Sequence, residues 1–549
     1  MSLDRNKIEN ETNQESDFSI SRRGFLGGAG GVAALGVLGV PALGLVSSEA
    51  DAEIIDPLAA NQRRNQAYKI RQQAAIAQKQ ASIPTQATNS DEMLYAGKIA
   101  NYSKGLPHNS LGEVDINAYN ALTNALASGE PADYESIPLG GTTKLANPQA
   151  AQTYVLEGRD SHAFVMPAFT AFDSEELAGE MAEDYWHALA RDIPFSQYGL
   201  EPTTAAAITD LSAFTNYSGV NVSQLFRGTT PGEDNGPLLS QFLWKDIPYG
   251  PSTIVQRYKS PLAGDVHITQ YAHWLNIQKG GSPATAIAFD STEHYIRNAR
   301  DLGEWVHNDF SYQGYLNAAL ILMGIGAARD PHPYSSSATQ GAFITFGGPH
   351  ILEMVAKAAY AGLKAAWYQK WQVHRAARPE VFAGRIHNHI IGAANYPIHS
   401  KILNSAAVAA VYSQYGTYLL PMAAAEGSPT HPSYPAGHAT IAGACVTMLK
   451  AFFKESHIIA NAVEADDDGL ALLPYTDSAL TVGGELNKLA SNISLGRDYL
   501  GVHYRQDGIN GMLLGEQVAI QLLTESKALF NESSANFTFT DFSGNTVTI

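Results

Sequence analysis

Apolar residues recur at three- and four-residue steps through much of the chain, as they do in helices with one buried face. In Ser174–Asp192, Leu177, Met181, Trp186 and Leu189 fall near helical spacing beside Glu175, Glu176, Glu180 and Glu183. The same period predicts helices over Phe289–Phe310, Tyr312–Ala328, Ile351–Val373, Lys401–Gly416, Ala439–Phe453, Gly484–Ile493 and Arg505–Leu529. Asn61–Gln80 is polar and rich in Gln, Ala and Arg, with a thin apolar stripe; it suits an arm lying on a partner or on the core. Asn89–Asp173, with frequent Gly, Pro and Asn, reads as irregular structure with short helices. Strand-like alternation is scarce until Asn536–Ile549, where apolar residues alternate with Thr and Ser. The pattern predicts an all-α fold: one large helical-bundle domain with long ordered loops and few short strands.

Composition narrows this picture. A length of 549 residues suggests about three to four domains, yet no composition shift marks a firm boundary. The 45% apolar content excludes a disordered chain. With 53 acidic residues against 35 basic and a net charge of −18, the chain is a poor partner for nucleic acid or an anionic membrane face. The single cysteine, Cys445, excludes an internal disulfide framework and every CxxC motif. Lying in the apolar Ala439–Phe453 stretch, it reads as an inert buried thiol, with an intermolecular disulfide as the other reading.

Residues 1–52 are not expected to belong to the fold. Ser21-Arg22-Arg23-Gly24-Phe25-Leu26 precedes a Gly/Ala-rich apolar run and then Ala50-Asp51-Ala52, the pattern of a twin-arginine export signal with its cleavage site. A single membrane anchor is the other reading, disfavoured by the glycines. The mature chain is expected to start near Glu53 and to work in the periplasm or outside the cell, without stable membrane insertion once the signal is removed. Residues 53–160 are expected to form an N-terminal extension or arm, and 161–549 the core.

Three segments carry chemistry. Trp367–Glu380 places Lys370 and Arg378 about two turns apart if its helix continues, with Pro379 ending that helix. Pro429–His438 sets Pro, Gly437 and His438 directly before an apolar helix, whose first N–H groups form a natural anion cradle. Gly496–Asp507 brings Arg497 and His503, again leading into a helix. Taken singly, each is more often a solvated face or plain packing. Together they offer three cations and two imidazoles, a set suited to a tetrahedral oxyanion that becomes trigonal bipyramidal.

This combination resembles the vanadium-dependent haloperoxidases of the algal and cyanobacterial bromoperoxidase type, within the type-2 acid phosphatase superfamily. Lys370 with Arg378-Pro379, Pro435-Ala436-Gly437-His438, and Arg497 with His503 six residues later fill the superfamily's blocks, and Asp507, four after His503, fits as well. The eight-residue step from Lys370 to Arg378 is similar to the bromoperoxidase spacing, and Leu238–Trp244 looks like a family segment. The resemblance is strongest over about residues 237–523. It implies a core of two four-helix-bundle type, a vanadate cofactor, hydrogen peroxide and halide as substrates, an organic halogen acceptor, and a homo-oligomer built as a dimer or a multiple of dimers. By the same resemblance His503 is the metal ligand, Lys370, Arg378 and Arg497 neutralise the vanadate oxygens with the Gly437 N–H, and Lys370 polarises peroxide. His438 is then the acid–base group. His431, seven before His438, matches a bromoperoxidase histidine and favours bromide and iodide. Asp309 reads either as the buried acid that orients Arg497 or as an exposed helix-end acid.

Two departures stand out. The family's serine in the P-S-G-H block is Ala436 here, so a hydroxyl contact to the oxyanion is lost, with weaker binding by about 1–3 kcal/mol. Red-algal relatives carry calcium in a carboxylate-bearing loop, whereas Pro333–Thr339 lacks acids, which argues against calcium. His387-Asn388-His389 and Asp466-Asp467-Asp468-Gly469 read as packing and a solvated loop before metal sites. Two alternatives stand beside the haloperoxidase: an exported acid phosphatase with His503 as nucleophile and His438 as acid, and a non-catalytic anion-binding homologue.

Overall fold

The computed structural model describes residues 57–549, so the export-signal reading of residues 1–52 lies outside the described residues. The main helices are α1 (Ala60–Gln80), α2 (Ile116–Ser128), α3 (Glu175–Ala190), α4 (Ala299–Asn308), α5 (Gln313–Gly324), α6 (Gly348–Tyr368), α7 (Pro379–Ile390), α8 (Gly437–Phe452), α9 (Val482–Tyr499) and α10 (Arg505–Lys527). Strands are short and pair as antiparallel two-stranded sheets, among them β1 (Tyr258–Pro261) with β2 (Phe289–His294) and β3 (Thr538–Thr540) with β4 (Thr546–Thr548). No residue of α1 is buried. Among the described residues no helix is long and apolar enough to cross a membrane.

The site rests on a bundle in which α8 packs chiefly on α10 and α6, and α9 lies against α8 and α4. Glycine sets the closeness of α8 to α10. A Cβ on Gly443 would meet the Met512 carbonyl oxygen at 2.0 Å, and one on Gly515 the Thr440 carbonyl oxygen at 2.0 Å. Every residue of α9 is buried, so its polar residues take partners within the core: Asn492 Oδ1 accepts from the Ser240 N–H at 2.8 Å, and Lys488 Nζ bonds Glu485 at 2.6 Å. A smaller apolar cluster, Tyr102, Tyr119, Leu122 and neighbours, closes over Trp371.

Several expected elements change. Phe289–Phe310 is not one helix: its first part is β2, and Asn298 caps α4 by accepting from the Asp301 N–H at 2.9 Å. Lys401–Gly416 is broken, because Ser405 caps a separate helix, Ala406–Tyr415. α9 runs past Ile493 to Tyr499, putting Arg497 in its last turn. Lys370 and Arg378 do not share a helix. A π-helical segment, Gln369–His374, leads to Arg375 at φ 44°, and the chain reverses there. Pro379 opens α7 instead of ending a helix, since a proline's missing N–H costs nothing in a first turn.

His387 stacks on Tyr271 with ring centroids 5.3 Å apart, and His389 Nδ1 accepts from the Tyr396 N–H at 3.2 Å. Asp466 holds its turn by accepting from the Leu470 N–H at 2.8 Å. Cys445 is fully buried and its thiol donates to the Val355 carbonyl at 3.4 Å.

Candidate active site

The structure brings Gly437, His438, His431, Arg497 and His503 onto one cavity of about 410 Å³. A larger surface concavity of about 710 Å³ along Ile458–Leu480 is lined by no Lys, Arg or His. Lys370 and Arg378 stand directly behind the cavity floor, both fully buried.

Each group is held by its element. His503 sits just before α10 and its Nδ1 donates to Asp507 Oδ2 at 2.7 Å. The same oxygen accepts from the Ser433 hydroxyl and, at 3.2 Å, from the Tyr504 N–H, so Asp507 caps α10 while it fixes the imidazole. With the proton on Nδ1, His503 Nε2 presents a lone pair, met by Arg378 Nη1 at 2.8 Å. Burial first and the Arg378 charge second hold the His503 pKa well below its ordinary value, so the ring stays neutral. The Asp507 carboxyl is pushed up to about 6 by burial, opposed by the Ser433 hydrogen bond and the Lys370 charge.

Lys370 Nζ donates to the Pro432 and Ser433 carbonyls, both at 2.6 Å. Burial and the neighbouring Arg378 hold its pKa well below the usual ammonium range. Arg378 Nη1 also donates to the Val502 carbonyl at 2.6 Å, and Nη2 to His431 Nδ1 at 3.0 Å. His431 packs on Trp367, ring centroids 4.7 Å apart. Arg497 Nη1 donates to the Val306 carbonyl at 2.9 Å, while its Nε is buried without a partner among the described residues. Burial lowers both Arg378 and Arg497 to about 10, so both remain cationic at neutral pH.

Gly437 is the first residue of α8, and Thr440 is the first to bond back into the helix, through the Ala436 carbonyl. The Gly437, His438 and Ala439 N–H groups are therefore left for an anion. Ala436, at the cap position, supplies no side-chain hydrogen bond. His438 Nε2 donates to Asp309 Oδ1 at 2.9 Å. That corrects the expected role of Asp309: its side chain is only 5% exposed, as the buried-acid reading has it, but it anchors His438 and not Arg497. Arg497 and Asp309 still feel each other's charge. Burial and the Arg497 charge lower the His438 pKa, and Asp309 opposes them. The roles of Asp507 and Ser433 in fixing His503 escaped sequence reasoning, although the i, i+4 spacing of His503 and Asp507 carried the signal.

This set fits a vanadate-sized oxyanion. It offers one unprotonated imidazole nitrogen, two guanidinium cations, the buried Lys370 Nζ, an unpartnered buried Arg497 Nε, and a helix N-terminus. Among the described residues no cluster of three or more His, Cys, Asp or Glu could hold a metal ion by itself.

Comparison with known proteins agrees with the geometry. A family model for the VCPO second helical-bundle domain matches residues 350–532, a span that holds Lys370 through His503. A vanadium-dependent bromoperoxidase of Ascophyllum nodosum is 37% identical over 525 residues, covering 90% of this chain and 93% of its own length. One from Corallina pilulifera is 34% identical over 578 residues, covering 87% and 96%. The solved homohexameric structure of the second vanadate-dependent bromoperoxidase of Ascophyllum nodosum superposes with a TM-score of 0.87 at 30% identity, covering 93% of this chain and 94% of that one. By sequence and by fold, this chain belongs to the vanadium-dependent bromoperoxidase family.

Proposed function

We propose that the protein is a vanadate-dependent haloperoxidase that oxidises bromide or iodide with hydrogen peroxide to hypohalous acid, which halogenates organic compounds. The observation that carries this reading is the meeting of Arg497, a neutral His503 and the free end of α8 on one cavity, with Arg378 bonded to His503 and Lys370 buried behind it. Vanadate bound there supplies a V(V) Lewis acid that activates peroxide without changing oxidation state. His503 Nε2 would hold the metal, with its other nitrogen fixed by Asp507. Lys370, Arg378, Arg497 and the Gly437 N–H would hold the oxygens, and a low-dielectric pocket strengthens each such contact.

His438 would move the protons. Its Nε2 is committed to Asp309, which leaves Nδ1 to accept a proton from arriving peroxide, and Asp309 stabilises the imidazolium so formed. The lowered pKa of His438 keeps it a competent acceptor at neutral pH. His431, neutral through burial and the Lys370 charge, would set halide preference from beside Arg378.

We place the mature enzyme outside the cytoplasm, on the strength of the twin-arginine pattern, and read it as a homo-oligomer, a dimer or a multiple of dimers; the homohexamer among its relatives supports that range. One experiment tests the chemistry: the purified mature chain receives orthovanadate, peroxide and bromide while bromination of a phenol dye is followed. Vanadate-dependent bromination is expected. Phosphate-ester hydrolysis without bromination would overturn the reading in favour of an acid phosphatase, and inertness in both assays with tight phosphate binding would favour a non-catalytic anion binder.

A further inference from the structure

Lys370 and Arg378 reach the site from one reversal of the chain, and the reversal is strained. Arg375 lies within it at φ 44° and ψ 39°, a left-handed conformation that an arginine rarely adopts. Burial and the Arg378 charge both press against an ammonium at Lys370, so nothing in that pair draws the two side chains together. Such a conformation persists where the surroundings impose it. Here the surroundings are residues 92–164, well before the segment in sequence. Gln369 Nε2 donates to the Phe164 carbonyl at 2.9 Å, and Gln372 Nε2 to the Leu126 carbonyl at 3.2 Å. Trp371, fully buried, meets Tyr102 edge-on with ring centroids 5.4 Å apart. The Tyr102 N–H donates to the Arg375 carbonyl at 2.8 Å, and the Ala377 N–H to the Ala100 carbonyl at 3.1 Å. Lys370 points elsewhere, onto the Pro432 and Ser433 carbonyls. Glu92, in the short helical turn Asp91–Leu94, grips Arg375 itself. Its Oε2 accepts from Arg375 Nη2 at 2.5 Å, and Arg375 Nε reaches both carboxylate oxygens at 3.1 and 3.2 Å. The Tyr119 hydroxyl donates to Glu92 Oε1 at 2.8 Å, and Arg375 Nη1 turns back onto the Trp371 carbonyl at 2.8 Å. The Arg375 and Glu92 side chains are only 18% and 22% exposed, so water screens the pair less than it would on the open surface.

We infer that Glu92 is a positioning residue for the oxyanion site: through Arg375 it holds shut the reversal that sets Lys370 beside Arg378. Glu92 touches neither oxyanion nor substrate, and the inference rests on the reading that Lys370 and Arg378 hold the oxyanion. Without the carboxylate, Arg375 is free to relax to the right-handed region, and the two cationic side chains lose their fixed spacing. The N-terminal segment then does more than cover the bundle, because its grip on Arg375 sets how well the site binds.

Calorimetric titration of the full chain with orthovanadate tests this, since it reads affinity and stoichiometry separately. Glu92→Gln keeps the side chain's shape and removes its charge. It should raise the vanadate dissociation constant about tenfold at unchanged stoichiometry, the low end for a residue that acts through another. A merely structural role predicts the reverse: fewer competent molecules, each binding with wild-type affinity. That result overturns the inference, as does an unchanged titration. Rescue gives a second reading. Glycine takes φ 44° without a clamp, so Arg375→Gly added to Glu92→Gln should recover most of the lost affinity, whatever it does to the melting temperature. A double variant that binds as weakly as Glu92→Gln alone overturns the inference too. Should Glu92→Gln fail to fold, Tyr119→Phe removes only the hydroxyl bond to Glu92 and should weaken vanadate binding about threefold; wild-type affinity there counts against Glu92. A wild-type chain that binds no vanadate overturns the haloperoxidase reading itself, whereas wild-type binding left intact by these variants overturns only the role of Glu92.

Discussion

Two buried charge clusters lie close together in this bundle and solve opposite problems. On and behind the floor of the cavity stand Arg497, Lys370 and Arg378, all buried. Behind it, α3 and α9 gather Glu180, Glu183, Asp184 and Asp498, all buried. Arg378 and Arg497, anchored on backbone carbonyls, remain charged at neutral pH, whereas burial and the Arg378 charge hold the Lys370 ammonium well below its ordinary range; of the three, Arg497 lines the cavity. Only one acid has a matching ion: Glu183 is bonded by Arg505, at 2.8 Å through Nε. Glu180 is pushed up to about 8 by burial, and Asp184 and Asp498 well above the carboxylate range, again by burial first. Both Asp498 oxygens and Asp184 Oδ2 lack a hydrogen-bond partner among the described residues. His187 beside them is pushed down to about 3 by burial and supplies no positive charge. Like charges in a core are thus tolerated in two ways, by keeping the charge for a ligand or by discharging it with protons.

The largest effect should come from breaking the first arrangement. Arg497→Met keeps the volume and removes a cation whose Nε has no protein partner. Bromination at saturating vanadate should fall by about 10²–10³-fold in kcat/KM for bromide, while the melting temperature of the vanadate-free protein changes little, because the burial that disfavours this charge is offset only in part by Asp309 and Glu426. A fall in melting temperature with activity retained would make Arg497 a structural residue. Asp507→Asn comes next. It preserves size but weakens the grip on His503 Nδ1, and orthovanadate titration should show affinity reduced about 10–100-fold.

How much of this was legible follows the same division. α8 and α10 show in the sequence because their periods are regular, and the residues placed on the floor were readable as a set. The link from Lys370 to Arg378 was not, because the reversal depends on the left-handed Arg375 and not on hydrophobic period. α9 was read short because Gly496, Arg497 and Asp498 resemble a loop; burial on all sides overrides local preference there. The first part of Phe289–Phe310 has too few apolar residues to separate a strand from a helix end. The partner of Asp309 was illegible, since it belongs to a segment remote in sequence. The acid cluster was hidden for a different reason. Glu180 and Glu183 on an amphipathic helix look like its solvent face, and only the structure shows both faces of α3 covered.

The acid cluster makes a pH prediction of opposite sign to that of the cations. Asp184, Asp498 and Glu180 have folded-state pKa values above their unfolded ones. Their contribution to stability is whole below about pH 4, where both states are protonated. It is lost as pH rises through the folded values, by up to ~1.4 kcal/mol per pH unit for each carboxyl. Denaturant midpoints measured from pH 5 to pH 9, a span set by the Glu180 value of about 8, should therefore decline, and Asp498→Asn should flatten part of the decline. Lys370, held below its unfolded value, works the other way: its contribution is present above the unfolded pKa and is lost as pH falls through the folded one. An unchanged slope in Asp498→Asn would mean that Asp498 does not titrate in this range.

The smallest effect tests how far the floor depends on charge rather than on neutral donors. Ala436 is fully buried at the cap of α8, and its carbonyl already accepts from the Thr440 N–H and hydroxyl, both at 3.0 Å. A serine there has two uses for its hydroxyl. Donated to the oxyanion, it should lower half-saturating vanadate about tenfold, ~1.4 kcal/mol, at the weak end for a charge-assisted bond because the Arg378 and Arg497 cations would already offset the ligand's charge. Turned onto the Ala439 N–H, it should instead raise the stability of the vanadate-free protein by about 1 kcal/mol, as a helix cap. Measured on Ala436→Ser, a gain in vanadate affinity with an unmoved melting temperature assigns the hydroxyl to the ligand. A gain in melting temperature with unmoved affinity assigns it to the helix, and shows that a cationic floor can forgo a neutral donor without loss.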